Sequence, residues 1–216
     1  MTASVVATDC VLLINPTSGR GSGRRYGERA EAALTAAGYR VKPVIGSSVG
    51  EAVGMARRTL GRDGRTLVVV GGDGMISAAL PLVAGTGVTL GLIPAGTGND
   101  TARFLGLPRH DPEAAAQIVI DGRTALYDLG QVRTVGRADP HWFTTVLACG
   151  LDSKVNERAN LMRWPRGSSR YTLALLAELL PYRASGFRLE LDGGDPIDRR
   201  CMLIAVGNGQ IGRAHV

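Results

Sequence analysis

Leu67-Val68-Val69-Val70-Gly71-Gly72-Asp73-Gly74 and Leu90-Gly91-Leu92-Ile93-Pro94-Ala95-Gly96-Thr97-Gly98-Asn99-Asp100 share one pattern: an apolar run, a glycine loop, an acid. Short, continuous, β-branched runs are what a strand buried on both faces looks like, and in an open parallel sheet ligands sit beyond the carboxyl ends of such strands. The two loops are therefore expected to face one crevice. Glycine lets backbone N–H groups surround an anion, because no Cβ intervenes and positive φ is available. Phosphate is the natural guest. A carboxylate beside phosphate repels it unless a cation lies between, so Asp73 and Asp100 imply Mg²⁺, directly or through water.

Working outward, Cys10 to Ile14 reads as a first buried strand, followed by a loop from Asn15 to Gly23. From Arg24 the residues Tyr26, Ala30, Ala33, Leu34 and Ala37 share a helical face that Gly38 closes. Tyr39 to Val44 is a second strand, and Ser48 with Glu51 forms a capping box ahead of another one-sided helix. A helix over Ile76 to Leu80 is expected to end or kink at Pro81, and another runs from Thr101 to Leu105. Asp111-Pro112-Glu113 opens a helix that Gly122 ends. Alternating strands and helices predict an α/β fold, a doubly wound parallel sheet over residues 1–122.

Beyond Arg123 the character changes. Leu126 to Arg133, Trp142 to Cys149, Phe187 to Leu191 and Cys201 to Val206 read as strands, with helical inserts near Lys154 to Met162 and Tyr171 to Leu180. Leu191-Asp192-Gly193-Gly194-Asp195 reads as a hairpin turn.

Gly71-Gly72-Asp73-Gly74 followed by Gly96-Thr97-Gly98-Asn99-Asp100, preceded by Asn15-Pro16-Thr17-Ser18-Gly19, resembles the catalytic domain of the diacylglycerol kinase and sphingosine kinase family, especially its bacterial lipid kinases. Three motifs in the family's order span Asn15 to Asp100. The resemblance extends more weakly over the remainder. It implies an NAD kinase- and diacylglycerol kinase-like first domain, and over residues 123–210 a partial, mainly antiparallel β domain that closes the active-site cleft. It implies an ATP-dependent kinase that phosphorylates a hydroxyl of diacylglycerol, a sphingoid base or a related lipid. Asp73 is then the catalytic residue that holds Mg²⁺ against the phosphates, with Gly71, Gly72 and Gly74 binding phosphate oxygens. Gly96, Thr97, Gly98 and Asn99 complete the nucleotide site and Asp100 extends the metal network, although Asn99 and Asp100 are also good helix caps. Asn15, Ser18 and Gly19 are placed near phosphate, Ser47 near the nucleotide, and Arg20, standing where the family often has Lys, is expected to touch phosphate. The sequence departs from the family at Met75, where Thr is usual, and at Ser77-Ala78, where an Asn-Glu pair is usual.

A net charge of +6 admits nucleic acid, anionic lipid or phosphorylated ligands. Scattered arginines and 5% aromatic residues lack the interleaved pattern of a nucleic-acid platform, so nucleic acid is not expected as a partner. Cys10, Cys149 and Cys201 lie far apart without Cys-x-x-Cys spacing, and His110, His141 and His215 show no ligand spacing; neither a zinc site nor a disulfide framework is expected. The amino-terminal stretch has no leader pattern, and no run approaches the roughly 18 apolar residues of a membrane span. A cytoplasmic protein is expected, peripheral to the inner membrane face if Arg163-Trp164-Pro165-Arg166 and Arg170-Tyr171, ahead of Leu173 to Ala177, rest on an anionic bilayer. A core helix with basic flanks is the plainer account of that stretch. A homodimer is compatible with the resemblance.

Ile211-Gly212-Arg213-Ala214-His215-Val216 can be encoded as ATC GGA AGA GCA CAC GTC, which resembles a sequencing adapter, so residues 211–216 are expected to be a non-native tail. The family places its general base and a structural metal site beyond Gly207-Asn208-Gly209, and a chain truncated there is expected to bind nucleotide poorly or transfer phosphate negligibly. The rival readings are a kinase of the NAD kinase or phosphofructokinase type, which shares Gly-Gly-Asp-Gly, and a non-catalytic nucleotide-binding regulator, suggested by Met75 and Ala78. A dinucleotide-binding dehydrogenase is disfavoured, because Gly19 to Gly23 lacks G-x-G-x-x-G spacing.

Overall fold

The structure, a computed structural model, describes residues 9–61, 65–136, 139–162, 164 and 168–208. Arg163, Pro165, Arg166 and the expected tail at 211–216 lie outside the described residues. The chain divides into two compact units, residues 1–145 with 208–216, and residues 146–207.

In the first unit, β1 (Asp9–Ile14), β2 (Arg40–Val44), β3 (Thr66–Gly71) and β4 (Thr89–Pro94) form a parallel sheet of order β2-β1-β3-β4. Between the strands run α1 (Ser18–Ala36), α2 (Val49–Leu60) and α3 (Asp73–Ala79), the last continued by a 3₁₀ turn at Leu80–Leu82 that holds Pro81. After β4 come α4 (Asp100–Phe104) and α5 (Pro112–Ile120). The strand period of two sends Cys10, Leu12, Ile14, Val68, Val70 and Ile93 to one face, against Ala30 and Leu34 of α1 and Ala115 and Ala116 of α5. Val11, Leu13, Leu67, Val69 and Leu92 go to the other face, against Ala52, Ala56 and Leu60 of α2 and Met75 and Ile76 of α3. Both faces are covered, as the apolar runs require, and the doubly wound expectation holds. Truncating a fully buried member such as Leu12 or Leu67 to Ala removes about 2–5 kcal/mol of stability. Burial also pushes the Cys10 thiol up to about 12, so it behaves as a small apolar residue.

The boundary between the compact units falls after Thr145 rather than near Arg123. Of the run expected as a strand from Leu126 to Arg133, only β5 (Gly130–Val132) is extended and paired, antiparallel to β6 (His141–Phe143). Leu129 and Trp142 pack against the α2/α3 face of the first unit's core, which ties this ribbon to the sheet.

The second unit is antiparallel. β7 (Val146–Gly150) pairs with β10 (Leu203–Gly207), and β8 (Ser185–Leu189) with β9 (Ile197–Cys201). The polar run Ile197-Asp198-Arg199-Arg200-Cys201 hides β9 from an apolar-pattern reading, so the expected strand at Cys201 to Val206 proves to be two strands that part at Met202. The expected turn is present, with Asp192 (φ 53) and Gly193 (φ 72) left-handed and the Gly194 N–H donating to the Leu191 carbonyl at 2.9 Å. α6 (Leu151–Leu161) and α7 (Ser168–Leu179) pack through Val155, Ala159 and Ala174, and an Arg158–Glu178 ion pair joins them. Among the described residues, no helix is long and apolar enough to cross a membrane.

Two loops of the first unit differ in detail from the sequence reading. Helical hydrogen bonding begins at Ser18, not Arg24, but Gly19 (φ 58), Arg20 (φ 61) and Gly21 (φ 95) form a left-handed turn before the right-handed helix proper. The early start is possible because Gly23 lies against the chain it leaves: a Cβ there would stand 2.0 Å from the Asn15 carbonyl oxygen. At α2, the Ser48 hydroxyl accepts from the Glu51 N–H at 3.2 Å, as a capping box requires. The returning carboxylate passes over Ser48, however, and accepts from the Ser47 N–H at 2.8 Å and the Ser47 hydroxyl at 2.5 Å. Those bonds, the hydroxyl's first, hold the Glu51 carboxyl below its usual 4.5. Because its folded value is depressed, the stabilisation it gives the Ser47 turn is present above 4.5 and lost as pH falls through the lowered value. Carbon-detected NMR titration should place the Glu51 midpoint below 4.5, and Ser47→Ala should return it toward 4.5; a midpoint at or above 4.5 in the unaltered protein contradicts the turn described.

Candidate functional site

The connections leaving β1 and β3 diverge to opposite sides of the sheet, which makes their carboxyl ends the topological switch point. Three loops meet there. A Cβ on Gly72 would lie 2.9 Å from the Gly96 Cα, and one on Gly96 would lie 2.5 Å from the Gly72 Cα and 2.7 Å from the Asn99 Oδ1. A Cβ on Gly19 would stand 2.3 Å from the Ala95 carbonyl oxygen. These backbones touch where any side chain would part them. The two glycine loops do face one place.

Asp73 opens α3, and its carboxylate reaches across to the next loop. Oδ2 accepts from the Asp100 N–H at 3.0 Å and Oδ1 from the Thr101 N–H at 2.9 Å. The acid thus caps α4, satisfying donors that a helix leaves without intrahelical partners. Asn99 occupies the N-cap position in a left-handed conformation (φ 53) but makes no side-chain cap bond. Its amide is turned back on its own loop, accepting from the Gly96 N–H at 2.9 Å and donating to the Gly96 carbonyl at 2.8 Å, and it is buried. Asn99 therefore shapes the loop. Thr97 and Gly98 are exposed at the loop's tip, and Asp100 is exposed, with its Oδ1 on Arg103 Nη1 at 2.5 Å.

The other residues singled out in the sequence fall into two groups. Gly71 is buried as the last residue of β3, with its carbonyl bonded to the Ala95 N–H at 2.9 Å, whereas Gly72 is half-buried and Gly74, in the first turn of α3, is exposed. Asn15 accepts from the Thr17 N–H (3.1 Å) and hydroxyl (2.9 Å), which fixes the turn that leads to Ser18 and Gly19. Arg20 is exposed and left-handed, a conformation that costs energy for any residue with a Cβ and that recurs at ligand-binding loops. Ser47 lines a pocket of about 400 Å³ together with Asn15, Pro16 and Thr17 of the first loop. Its lining is mixed, apolar at Ile14, Ala52 and Met75 and polar at Asn15, Ser47 and Ser48. Met75, the departure from the family pattern, is buried as part of the α2/α3 core and of this pocket's wall.

Asp73 and Asp100 flank Gly98: the position a Cβ would take there is 3.3 Å from Asp73 Oδ2 and 3.7 Å from Asp100 Oδ2. With the Gly98 carbonyl this is an all-oxygen donor set, which suits Mg²⁺. A cationic group already rests on it, since Arg103 Nη2 donates to the Gly98 carbonyl at 3.0 Å. Among the described residues, no group of three His, Cys, Asp or Glu side chains could hold a metal. Two carboxylates from the protein, with the remaining positions left to phosphate and water, is the usual arrangement for Mg²⁺.

Sequence reasoning passed over two features. Arg103 was legible only as a base three residues after Asp100 on a helix. The other is a lattice behind α4: the Thr101 hydroxyl bonds the Thr144 hydroxyl at 2.9 Å, the Tyr127 hydroxyl donates to the Thr144 carbonyl at 2.5 Å, and the Asn208 amide donates to the Thr144 and Asp128 carbonyls at 3.0 and 2.6 Å. Nothing in spacing could announce bonds across so much chain.

Comparison with known proteins gives two family models. Residues 9–132 match the diacylglycerol kinase catalytic domain, and residues 145–213 match the YegS C-terminal NAD kinase beta sandwich-like domain. A diacylglycerol kinase of Mycobacterium tuberculosis (strain ATCC 25618 / H37Rv) is 44% identical over 196 residues, covering 91% of this chain and 63% of that protein. One of Bacillus subtilis (strain 168) is 30% identical over 185 residues, covering 84% of this chain and 59% of that protein. The crystal structure of a diacylglycerol kinase from Bacillus anthracis str. Sterne superposes with a TM-score of 0.64 at 22% identity, over 94% of this chain and 65% of that one, and shows the same fold. The chain thus spans less than two thirds of the length of these relatives. With the catalytic-domain model matched over more than half its residues, and that match containing all three glycine-bearing loops, the chain belongs to the diacylglycerol kinase catalytic-domain family.

Proposed function

We propose that this chain carries the nucleotide-binding machinery of an ATP-dependent lipid kinase, which moves the γ-phosphoryl group of ATP to a hydroxyl of diacylglycerol or a related lipid. The observation that carries the reading is the backbone contact of Gly72 with Gly96, which brings Asp73 beside the 96–100 loop. In this reading the N–H groups of Gly72 and Gly74 and the tip residues Thr97 and Gly98 donate to phosphate oxygens, and Arg20 adds charge from the left-handed turn. Gly71 and Asn99 act through the backbone they hold in place. Mg²⁺ held by Asp73 and Asp100 supplies charge neutralisation between the carboxylates and the phosphates when bound. Asp73 keeps its two amide bonds while facing the phosphates, so its geometry is set before the nucleotide arrives. The pocket beside Ser47 has the mixed lining that a purine and ribose need: apolar on Ile14 and Met75, polar at Asn15 and Ser48. Ser47 contributes its position more than its hydroxyl, which Glu51 already engages.

The lipid end of the reaction rests on the relatives, whose names state diacylglycerol kinase. It is supported by the exposed apolar side chains of the second unit, where Trp164, Leu176 and Leu180 are exposed by 78%, 56% and 91%. A place at the inner face of a membrane follows from that reading.

Asp73 has two separable roles, and Asp73→Asn should reveal both. Losing one charged acceptor from the α4 cap should lower the unfolding free energy by about 1–3 kcal/mol in urea denaturation. Calorimetry with ADP should show that the strengthening by Mg²⁺ over EDTA disappears in the variant. A variant that keeps the full Mg²⁺ effect would remove Asp73 from the metal site.

Phosphorylated product, followed with radiolabelled ATP, should appear from a lipid extract and not from NAD or fructose 6-phosphate when the protein is extended to the length of its relatives. Nucleotide binding without any product would instead favour a non-catalytic regulator.

Sedimentation with vesicles containing anionic lipid should fall when Arg163, Arg166 and Arg170 are reversed in charge together. Unchanged sedimentation would withdraw the membrane surface as a partner.

A further inference from the structure

Arg103 is one turn into α4 and half exposed, yet its guanidinium does not simply lie along the helix. Nη1 bonds Asp100 Oδ1 at 2.5 Å while Nη2 leaves the helix to bond the Gly98 carbonyl at 3.0 Å. The two bonds span the turn between loop and helix, and one of them is on Gly98, where the position of a Cβ would lie against both Asp73 and Asp100. An exposed i,i+3 ion pair contributes little to stability, so a stability role does not account for this fork. The fork places a fixed positive charge on the Asp100 carboxylate, through Oδ1, and on the Gly98 carbonyl, beside the Asp100 Oδ2 that lies against Gly98 together with Asp73 Oδ2.

We infer that Arg103 is a resident counter-cation: it occupies Asp100 until metal and nucleotide arrive together, and then turns its guanidinium to phosphate. This rests on the nucleotide-site reading above. A divalent ion and a guanidinium cannot share the Asp100 carboxylate and the Gly98 carbonyl without strong repulsion, so metal alone must displace Arg103 and leave it unpaired beside a like charge. Metal with a nucleotide removes the conflict, because the phosphates offer the released guanidinium a better planar partner than one carboxylate oxygen. The consequence is coupling: each ligand favours the other through one side chain, and the free protein resists loading with metal only.

The test compares the unaltered protein, extended to the length of its relatives, with Arg103→Gln and Arg103→Lys in the same extended form. Free Mn²⁺ is titrated by electron paramagnetic resonance without nucleotide, and ADP is titrated by calorimetry in Mg²⁺. Arg103→Gln should bind Mn²⁺ about two- to fivefold more tightly, the effect of removing one exposed charged partner, and bind ADP about tenfold more weakly. Arg103→Lys, which keeps the charge without the fork, should fall between in both. Unchanged or weaker Mn²⁺ binding by Arg103→Gln overturns the inference. Tighter Mn²⁺ binding with unchanged ADP affinity overturns the transfer to phosphate and leaves Arg103 a counter-ion only. If the unaltered, folded extended protein binds Mg·ADP and both variants match it in both titrations, only Arg103 loses its role. If that protein binds neither Mn²⁺ nor Mg·ADP, the nucleotide-site reading fails and this inference with it.

Discussion

Two backbones approach until Gly72 and Gly96 leave no room for a Cβ, and a carboxylate from one loop is bonded to two amides of the other. Much of the first unit's arrangement serves that meeting. The parallel sheet ends β3 and β4 side by side, with Gly71 in register with Pro94, so the loops leave at the same level. α3 then begins at once, placing Asp73 on the side of β4. α4 begins only after the Asn99 amide has closed the 96–99 loop on itself. The cap that α4 needs comes from Asp73, far earlier in the chain, rather than from the Asn at its own N-cap. A helix end whose donors are satisfied by a distant acid is held rigidly to that acid, and this is the condition under which both can present a fixed surface to a ligand.

That arrangement changes how the family departures should be weighed. Met75 looks like the loss of a hydroxyl when it is read beside Gly-Gly-Asp-Gly, but its side chain points away from the loop tip into the core and the wall of the neighbouring pocket. The backbone donors at Gly72 and Gly74 do not depend on it. The same geometry lowers the expected chemical share of Gly71 and Asn99 and raises that of Arg103, which lies just beyond the quoted Gly96 to Asp100 motif. A motif can therefore be matched letter for letter while its residues divide the labour between building the loop and touching the ligand.

The second unit follows different physics. Its strands are antiparallel and its cross-strand pairs include Phe187 with Arg199 and Arg188 with Asp198, a half-exposed pattern with none of the continuous burial seen in β3. α6 and α7 meet on small residues, Ala159 and Ala174, and the larger side chains of α7 look outward. Where the chain returns at Asn208, one side-chain amide binds two carbonyls of the 128–144 segment, so the return point is fixed by hydrogen bonds that no hydrophobic pattern specifies.

The sequence alone determined the parallel sheet, because a strand buried on both faces must be apolar at every position and Leu67 to Val70 is such a run. It also determined that two glycine loops would lie at the carboxyl ends of neighbouring strands, and that Ser48 and Asp111 would cap their helices, since each of these is a local rule read within a few residues. Tertiary structure decided which acid caps α4, that Asn99 bonds its own loop, that Ser47 answers to Glu51, and that Arg103 forks onto Asp100 and Gly98. Those partners are chosen by distance in space among several chemically equal candidates, and spacing along the chain carries no information about which of them will be within 3 Å of a given oxygen.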